Sequence, residues 1–185
     1  MITERAKASF DRLLVSSLKS GMPVGGASVS VEGVATLDKI KEKKIVILTV
    51  SSYLFRAMAI LYFKPDAATR AYFNRTAEEG APALSDDEFY DRVSECGNVC
   101  VGALNRDLGP FFPHVGMSTP NIIDKNCMQY VSLLGCDLVK HYKVVLDGEL
   151  TMYASLCVAD YGTVDFHVDP AVEVALDTAG ELEMF

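Results

Sequence analysis

A carboxylate and a carboxamide lie three residues apart near the middle of the chain, at Glu95 and Asn98. On a helix the two side chains would share one face, with Cβ atoms about 5–6 Å apart. A carboxamide accepts a hydrogen bond from a water molecule while it donates one to another group. This suits it to aligning a hydrolytic water on a phosphoryl group, a reaction that depends mostly on positioning. The neighbouring carboxylate can pair with a lysine of a partner protein and fix the docking angle.

Helical spacing over residues 85–108 predicts the element that carries this pair. The side expected to be buried consists of Phe89, Val93, Cys96, Cys100, Ala103 and Leu104. The opposite, polar side consists of Asp91, Glu95, Asn98, Gly102 and Asn105. Ser85 followed by Glu88 predicts a capping box at the start of the helix, and Gly109-Pro110 predicts its end. We therefore expect Glu95 and Asn98 on the solvent-facing side.

The polar face admits a structural explanation as well as a functional one. Asp91 and Glu95 place like charges at i and i+4, which is unfavourable by about 0.2–0.5 kcal/mol, and an acidic pair that meets a partner's cation accounts for this arrangement. Gly102 on the same face lets a partner's backbone come close. Against this, Arg92 can neutralise the face, and Glu-x-x-Asn is common on exposed helices. Both functional interpretations require Glu95 and Asn98 to be exposed, so burial separates them from an incidental motif.

Composition and charge restrict the class of protein. The chain has 185 residues, 50% of them hydrophobic and 23% charged, which predicts a globular protein with one sizeable core. The net charge of −8 and the pI of about 4.8 argue against binding to nucleic acid or to an anionic membrane. No apolar run reaches the roughly 18 residues that cross a bilayer. No apolar signal region follows the first residues, so we expect a cytoplasmic protein.

The cysteines and histidines do not indicate a metal site. The five cysteines form no C-x-x-C pair, and the chain has three histidines that could complete a ligand set. We expect the cysteines to be small buried hydrophobic side chains in a reducing compartment. His114 lies in a predicted loop at 111–114 without a titratable neighbour in sequence, and we expect no catalytic role for it.

The remaining elements predict an α+β fold in which helices pack on an antiparallel sheet. In chain order they are a helix at 3–20, an irregular strand at 24–36, strands at 45–50 and 55–63, a helix at 66–79, the helix at 85–108, and strands at 127–134, 138–146 and 149–159. Asp147-Gly148 predicts a hairpin between the last two. Residues 1–160 are expected to form one domain. The acidic segment 161–185 is expected to be an extension, as an added edge strand or a loosely held tail.

The polar face and a later proline together resemble the signature of the CheC/CheX/FliY phosphatases of bacterial chemotaxis. That signature is D-x-x-x-E-x-x-N followed by Pro after 21 residues, and Asp91, Glu95, Asn98 and Pro120 match it. The run E-C-G-N-V-C-V-G is similar to E-x-G-N-x-x-x-G of the CheX branch, and S-T-P-N-I-I at 118–123 is similar to the run after its signature helix. The resemblance extends from about residue 45 to 124, weakens to about 159 and fails in the tail. The loop at 111–114 has no clear counterpart.

The resemblance implies an enzyme that hydrolyses the aspartyl phosphate of a phosphorylated CheY-like receiver in chemotaxis or related two-component signalling. Glu95 would pair with the receiver's lysine, and Asn98 would orient the attacking water. Asp91, Gly102 and Pro120 would belong to the docking surface. The receiver would supply Mg²⁺, with no metal or cofactor bound by this chain. A single signature implies a CheX-like homodimer formed through the sheet. The alternative is a non-catalytic module that binds a receiver without turnover.

Overall fold

The computed structural model describes residues 1–22, 28–75 and 82–169 and contains helices and strands in an α+β order. The elements are α1 (Glu4–Gly21), β1 (Val29–Val34), β2 (Lys44–Ser51), β3 (Phe55–Phe63), α2 (Ala67–Phe73), α3 (Asp86–Leu108), β4 (Gly116–Met117), β5 (Asn121–Asp124), a 3-10 helix (Lys125–Leu134), β6 (Leu138–Leu146) and β7 (Leu150–Asp160). The predicted fold class is confirmed. Parts of the strand predicted at 24–36 and of the helix predicted at 66–79 lie outside the described residues.

The seven strands form one sheet in the order β1-β6-β7-β3-β2-β4, and β5 also pairs with β2. Each pairing between these strands is antiparallel. The predicted hairpin joins β6 to β7, and its turn residues Asp147 and Gly148 have φ angles of 53° and 70°. Positive φ at both positions is what a tight hairpin turn requires.

One face of the sheet is covered by α1 and α3, and the main core lies between these layers. Phe10 of α1 packs edge to face against Phe55 of β3, with ring centroids 5.1 Å apart. On α3, Phe89 and Leu104 are fully buried. Complete burial of a large apolar side chain contributes about 1.5–3 kcal/mol, so this stripe decides which side of α3 faces the sheet. Apart from the half-buried Cys96, the predicted buried side is confirmed.

Local hydrogen bonds set the starts of the helices, as their sequences predict. Thr3 caps α1 by accepting from the Ala6 amide at 3.2 Å. Ser85 and Glu88 form the reciprocal capping box at the start of α3, which satisfies amide groups that no earlier turn can bond. The predicted beginnings of both helices are therefore confirmed.

A 3-10 helix covers part of the opposite face of the sheet, where the sequence pattern predicts a strand at 127–134. That prediction is wrong. The Asp124 carboxylate accepts from the Asn126 amide at 2.9 Å, and Gly135 ends the helix with φ 60°. Met128 and Val131 pack against a second apolar cluster on this face. Met128 and Val131 are three residues apart, a spacing that suits a 3-10 helix, and both are partly buried by this contact.

Residues 161–169 run alongside α1 and add to the main core. Val164 bridges to Ile2, and Phe166 and Val168 are buried. The Val168 amide donates to Ser9 Oγ at 3.0 Å. The extension predicted at 161–185 lies outside the described residues beyond position 169 and stays a prediction there. None of the described helices has the length and apolarity needed to cross a membrane.

Candidate functional site

Two close contacts made by glycines set the position of α3. A Cβ on Gly97 would lie 2.9 Å from Leu48 Cδ1, so this turn of α3 rests directly on β2. A Cβ on Gly21 would lie 2.6 Å from both Cα and N of Cys100, so the end of α1 touches the α3 backbone. Real Cβ atoms do not approach other atoms this closely, so only glycine fits without a shift at these two points. The helix is thereby held between α1 and the sheet.

Glu95 and Asn98 lie on the side of α3 that faces solvent, as their spacing predicts. Glu95 is exposed and Asn98 is half-buried. Asn98 Nδ2 donates to Glu95 Oε2 at 3.4 Å, a long hydrogen bond that orients the carboxamide. Among the described residues, none donates a hydrogen bond to Asn98 Oδ1 in this arrangement. The oxygen is therefore available to accept from a water molecule. The exposure required of a functional pair is met by Glu95 and in part by Asn98.

The remaining polar side of α3 is an open surface. Asp91 is exposed one turn before Glu95. A Cβ on Gly102 would meet no atom within 4 Å, so this position opens onto free space. Val99 is 48% exposed beside Asn98. This surface combines negative charge, one apolar side chain and a position without a side chain. Asn105, also predicted here, is half-buried, and its Oδ1 is buried without a hydrogen-bond partner among the described residues.

Pro120 lies where the edge strand of the sheet breaks. β4 pairs with Val50 and Ser51, β5 pairs with residues 44–47, and the gap opposite β2 falls at residues 118–120. Proline has no amide hydrogen to donate to a sheet ladder, so it suits such a break. Thr49 lies next to Leu48, on which Gly97 packs. The register therefore places the break alongside the turn of α3 that carries Asn98.

At this break the side chain of Ser118 takes the place of a backbone acceptor in the sheet. The sequence did not predict this role. The Ser118 amide donates to the Thr49 carbonyl at 2.8 Å, and Ser118 Oγ accepts from the Thr49 amide at 3.0 Å. The same Oγ donates to the Thr119 carbonyl at 2.9 Å. A serine two residues before a proline that interrupts a strand was the signal available in the sequence.

The cysteines on α3 belong to its packing. Cys96 Sγ lies 3.9 Å from the Gly21 carbonyl oxygen. A hydrogen bond from Cys96 and burial raise the pKa of the Cys100 thiol well above its usual value, so it stays protonated. All five cysteines are free, and Cys100 and Cys157 are buried while the others are half-buried. The described part of the chain contains no cluster of His, Cys, Asp and Glu suited to a metal.

His114 occupies an exposed position in the loop after α3. Its φ angle is 68°, in the left-handed region that non-glycine residues adopt uncommonly. Its ring makes no hydrogen bond to a described residue.

The fold of this chain is similar to solved structures of chemotaxis proteins. CheX from Vibrio vulnificus aligns with a TM-score of 0.62 and 13% identity over 82% of this chain and 99% of that one. This chain has the CheX/CheC-like fold. The CheX–CheY–BeF3–Mg complex from Borrelia burgdorferi has a chain that aligns with a TM-score of 0.56 and 17% identity, over 82% of this chain and 96% of that one. FliY from Thermotoga maritima aligns with a TM-score of 0.56 and 12% identity, over 83% of this chain and 87% of that one.

The likeness to these proteins lies in the fold. No family model matches the sequence, and no characterised protein matches it at the level of sequence. At identities of 12–17%, the CheX/CheC-like fold says which layers pack together, while the chemistry has to be argued from the side chains on α3.

Proposed function

We propose that this protein is a phosphatase that hydrolyses the aspartyl phosphate of a CheY-like receiver. The observation that carries the proposal is the pair on the solvent-facing side of α3, in which the half-buried Asn98 donates through Nδ2 to Oε2 of the exposed Glu95 at 3.4 Å. This bond leaves the carboxamide oxygen free to accept from water. The fold supports the proposal, because CheX structures share it and one of them is a complex with CheY.

In the proposed complex Glu95 docks the receiver. Its carboxylate, with that of Asp91, meets an ammonium group of the partner at the rim of the receiver's phosphorylation site. Exposed ion pairs contribute only about 0–1 kcal/mol, but a pair that loses its water on docking contributes more and sets the orientation. Gly102 leaves room for the partner's backbone, and Pro120 forms the other wall beside α3.

Asn98 acts on the attacking water. Its Oδ1 accepts from the water, whose oxygen attacks phosphorus in line with the bond to the receiver's aspartate. The new P–O bond forms as the aspartyl P–O bond breaks, which yields inorganic phosphate and a free carboxylate. Removal of one well-placed polar group of this kind lowers a rate by on the order of 10²–10³. The receiver holds Mg²⁺ in this proposal, and no intermediate forms on this chain.

The proposal includes a homodimer formed through the sheet. β1 lies at one end of the strand order and pairs only with β6 among the named strands, so its outer amides and carbonyls are available to a second copy. Light scattering after size exclusion tests this. A mass of twice 20.2 kDa supports the dimer, and the monomer mass contradicts it.

The decisive experiment follows the loss of phosphate from a receiver phosphorylated by a small-molecule donor, with Mg²⁺, in the presence and absence of this protein. Asn98→Ala should lower the acceleration by about 10²–10³ while binding persists. Glu95→Ala should weaken binding. Asp87→Ala, an exposed carboxylate in the first turn of the same helix, serves as the matched control and should behave as the wild type.

The outcomes separate the alternatives. If the wild-type protein binds the receiver without accelerating the loss of phosphate, the alternative of a non-catalytic receiver-binding module is favoured. A panel of receivers that are neither bound nor dephosphorylated would refute the proposal. Acceleration that survives Asn98→Ala would refute the role of this residue while leaving the activity.

A further inference from the structure

The face of the sheet opposite α3 carries a pocket of about 370 Å³. It lies between the loop at 36–38, the 3-10 helix and the strands β3 and β6. Its apolar walls are Leu37, Met128 and Val131, and Tyr62 and His141 line its base. The volume is within the range of about 300–1,000 Å³ typical of sites for small molecules.

The base of the pocket is a chain of three hydrogen-bonded side chains on adjacent strands. Tyr62 Oη lies 3.0 Å from Ser155 Oγ, and Ser155 Oγ lies 2.7 Å from His141 Nδ1. Ser155 is fully buried, and Tyr62 is 3% exposed. Both hydroxyls are therefore hydrogen-bonded to the neighbouring side chains. This satisfies buried polar groups that would otherwise destabilise the fold.

The number of protons on these three side chains decides which hydrogen bond they can offer to a ligand. The two hydroxyls and a neutral imidazole carry three protons, and the two hydrogen bonds use two of them. The third lies on His141 Nε2 if Tyr62 donates to Ser155, whereas Nε2 becomes an acceptor if the chain runs in the other direction. Nε2 has no hydrogen-bond partner among the described residues and is not among their unpartnered buried atoms. It is therefore open to the pocket.

The charges around the pocket determine which chemical group of a ligand fits there. Burial lowers the pKa of His141, and the carboxylate of Asp38 opposes this shift from the pocket rim, so the imidazole is neutral near pH 7. Asp38 is exposed and can only accept hydrogen bonds. The ammonium of Lys125, which also lines the pocket, donates to the Ile40 carbonyl at 3.1 Å. A neutral ligand with an amino group meets these requirements.

This Ser–His contact is not suited to nucleophilic catalysis. A nucleophile must reach the reacting carbonyl or phosphoryl group, and Ser155 is fully buried beside Tyr62. The pocket fits recognition, with polar side chains at its base, one carboxylate at the rim and apolar side chains in its lining that a flat ring can contact.

We propose that the pocket formed by residues 36–38, the 3-10 helix, Tyr62 and His141 binds a small, flat, amino-substituted heteroaromatic molecule of the nucleobase type. Its ring packs between Leu37 and the 3-10 helix residues Met128 and Val131. Its amino group donates to Asp38, and a ring nitrogen bonds to His141 Nε2. The site is on the face of the sheet opposite Glu95 and Asn98 and does not depend on the phosphatase proposal.

Titration of the full chain with adenosine, followed by calorimetry and by saturation-transfer NMR, tests this. Inosine is the matched probe, because it carries a carbonyl where adenosine has the amino group. We expect adenosine to bind saturably and inosine about tenfold more weakly. Asp38→Asn and His141→Gln should each weaken adenosine binding by about tenfold, the loss typical of one hydrogen bond to a polar or charged partner.

Two controls keep the outcome interpretable. Glu32→Gln removes an exposed carboxylate of β1 and should leave binding unchanged, as should Asn98→Ala. Asp38 lies in an exposed loop, so Asp38→Asn remains informative even if His141→Gln unfolds the protein. Absence of binding by both nucleosides at millimolar concentration would overturn the proposal, as would adenosine binding that neither pocket variant weakens. Equal binding of adenosine and inosine would overturn the contact with Asp38.

Discussion

Gly21→Ala tests whether contact between the backbones of α1 and α3 holds the candidate site in place. The added Cβ would lie 2.6 Å from Cα and N of Cys100 and 2.7 Å from its Sγ. Ordinary contact begins near 3.4 Å, so the helices would have to separate by nearly 1 Å. Two of the three nearest atoms belong to the backbone and cannot rotate away. Overpacking of this kind costs about 1–3 kcal/mol, and the backbone contact places this case near 3 kcal/mol.

Urea unfolding measures this cost directly. For a chain of this length a loss of about 3 kcal/mol corresponds to a fall in Tm of roughly 6–12 °C. Because Cys100 is two residues from Asn98, the separation should also lower the proposed phosphatase activity in the variant that remains folded. Gly102→Ala is the matched control on α3 for the stability measurement, because the new Cβ meets no atom within 4 Å. That change should raise stability by about 0.5–1 kcal/mol. A Gly21→Ala protein as stable as the wild type would refute the reasoning.

Three further changes test the surrounding structure. Ser85→Ala removes the capping box and should lower the unfolding free energy by about 1 kcal/mol without changing activity; unchanged urea midpoints would contradict the role of the cap. Ser118→Ala removes the acceptor of the Thr49 amide. It should lower the unfolding free energy by about 1 kcal/mol and weaken binding to the proposed receiver. Wild-type affinity would show that the strand break takes no part in docking. Hydrogen bonds from Arg5 and Thr3 lower the pKa of Asp165 to about 2 from 3.8. The stability that this carboxylate adds is thus present above pH 3.8 and lost as the pH falls towards 2. The Tm difference between Asp165→Asn and the wild type should therefore shrink as the pH falls through that window. A Tm difference independent of pH would contradict the ion pair.

Features set by a few neighbouring residues could be predicted from the sequence. The cap at Ser85 and the turn at Asp147-Gly148 depend on contacts within a few positions, and the apolar stripe of α3 follows from helical spacing. Each was predicted correctly because local hydrogen bonds and helical spacing do not depend on where the rest of the chain lies.

Features decided by distant partners could not be predicted in the same way. Residues 125–134 form a 3-10 helix because a second apolar cluster on the sheet was available to cover. The strands β4 and β5 have two and four residues, which is too short for a periodic signal, and both depend on pairing with β2. Ser118 belongs to the site's surroundings only through its bonds to Thr49.

For the candidate site, the sequence by itself determined that Glu95 and Asn98 share one side of a helix, because residues three apart on an α-helix are always neighbours. Only the tertiary structure decided that this side is open. It did so through Gly21 and Gly97, whose missing side chains let α1 and β2 approach the buried side of α3 closely. It also placed the strand break at Pro120 beside Asn98 through the pairing of β2. Close packing is a property of two surfaces, so one segment of sequence cannot determine it.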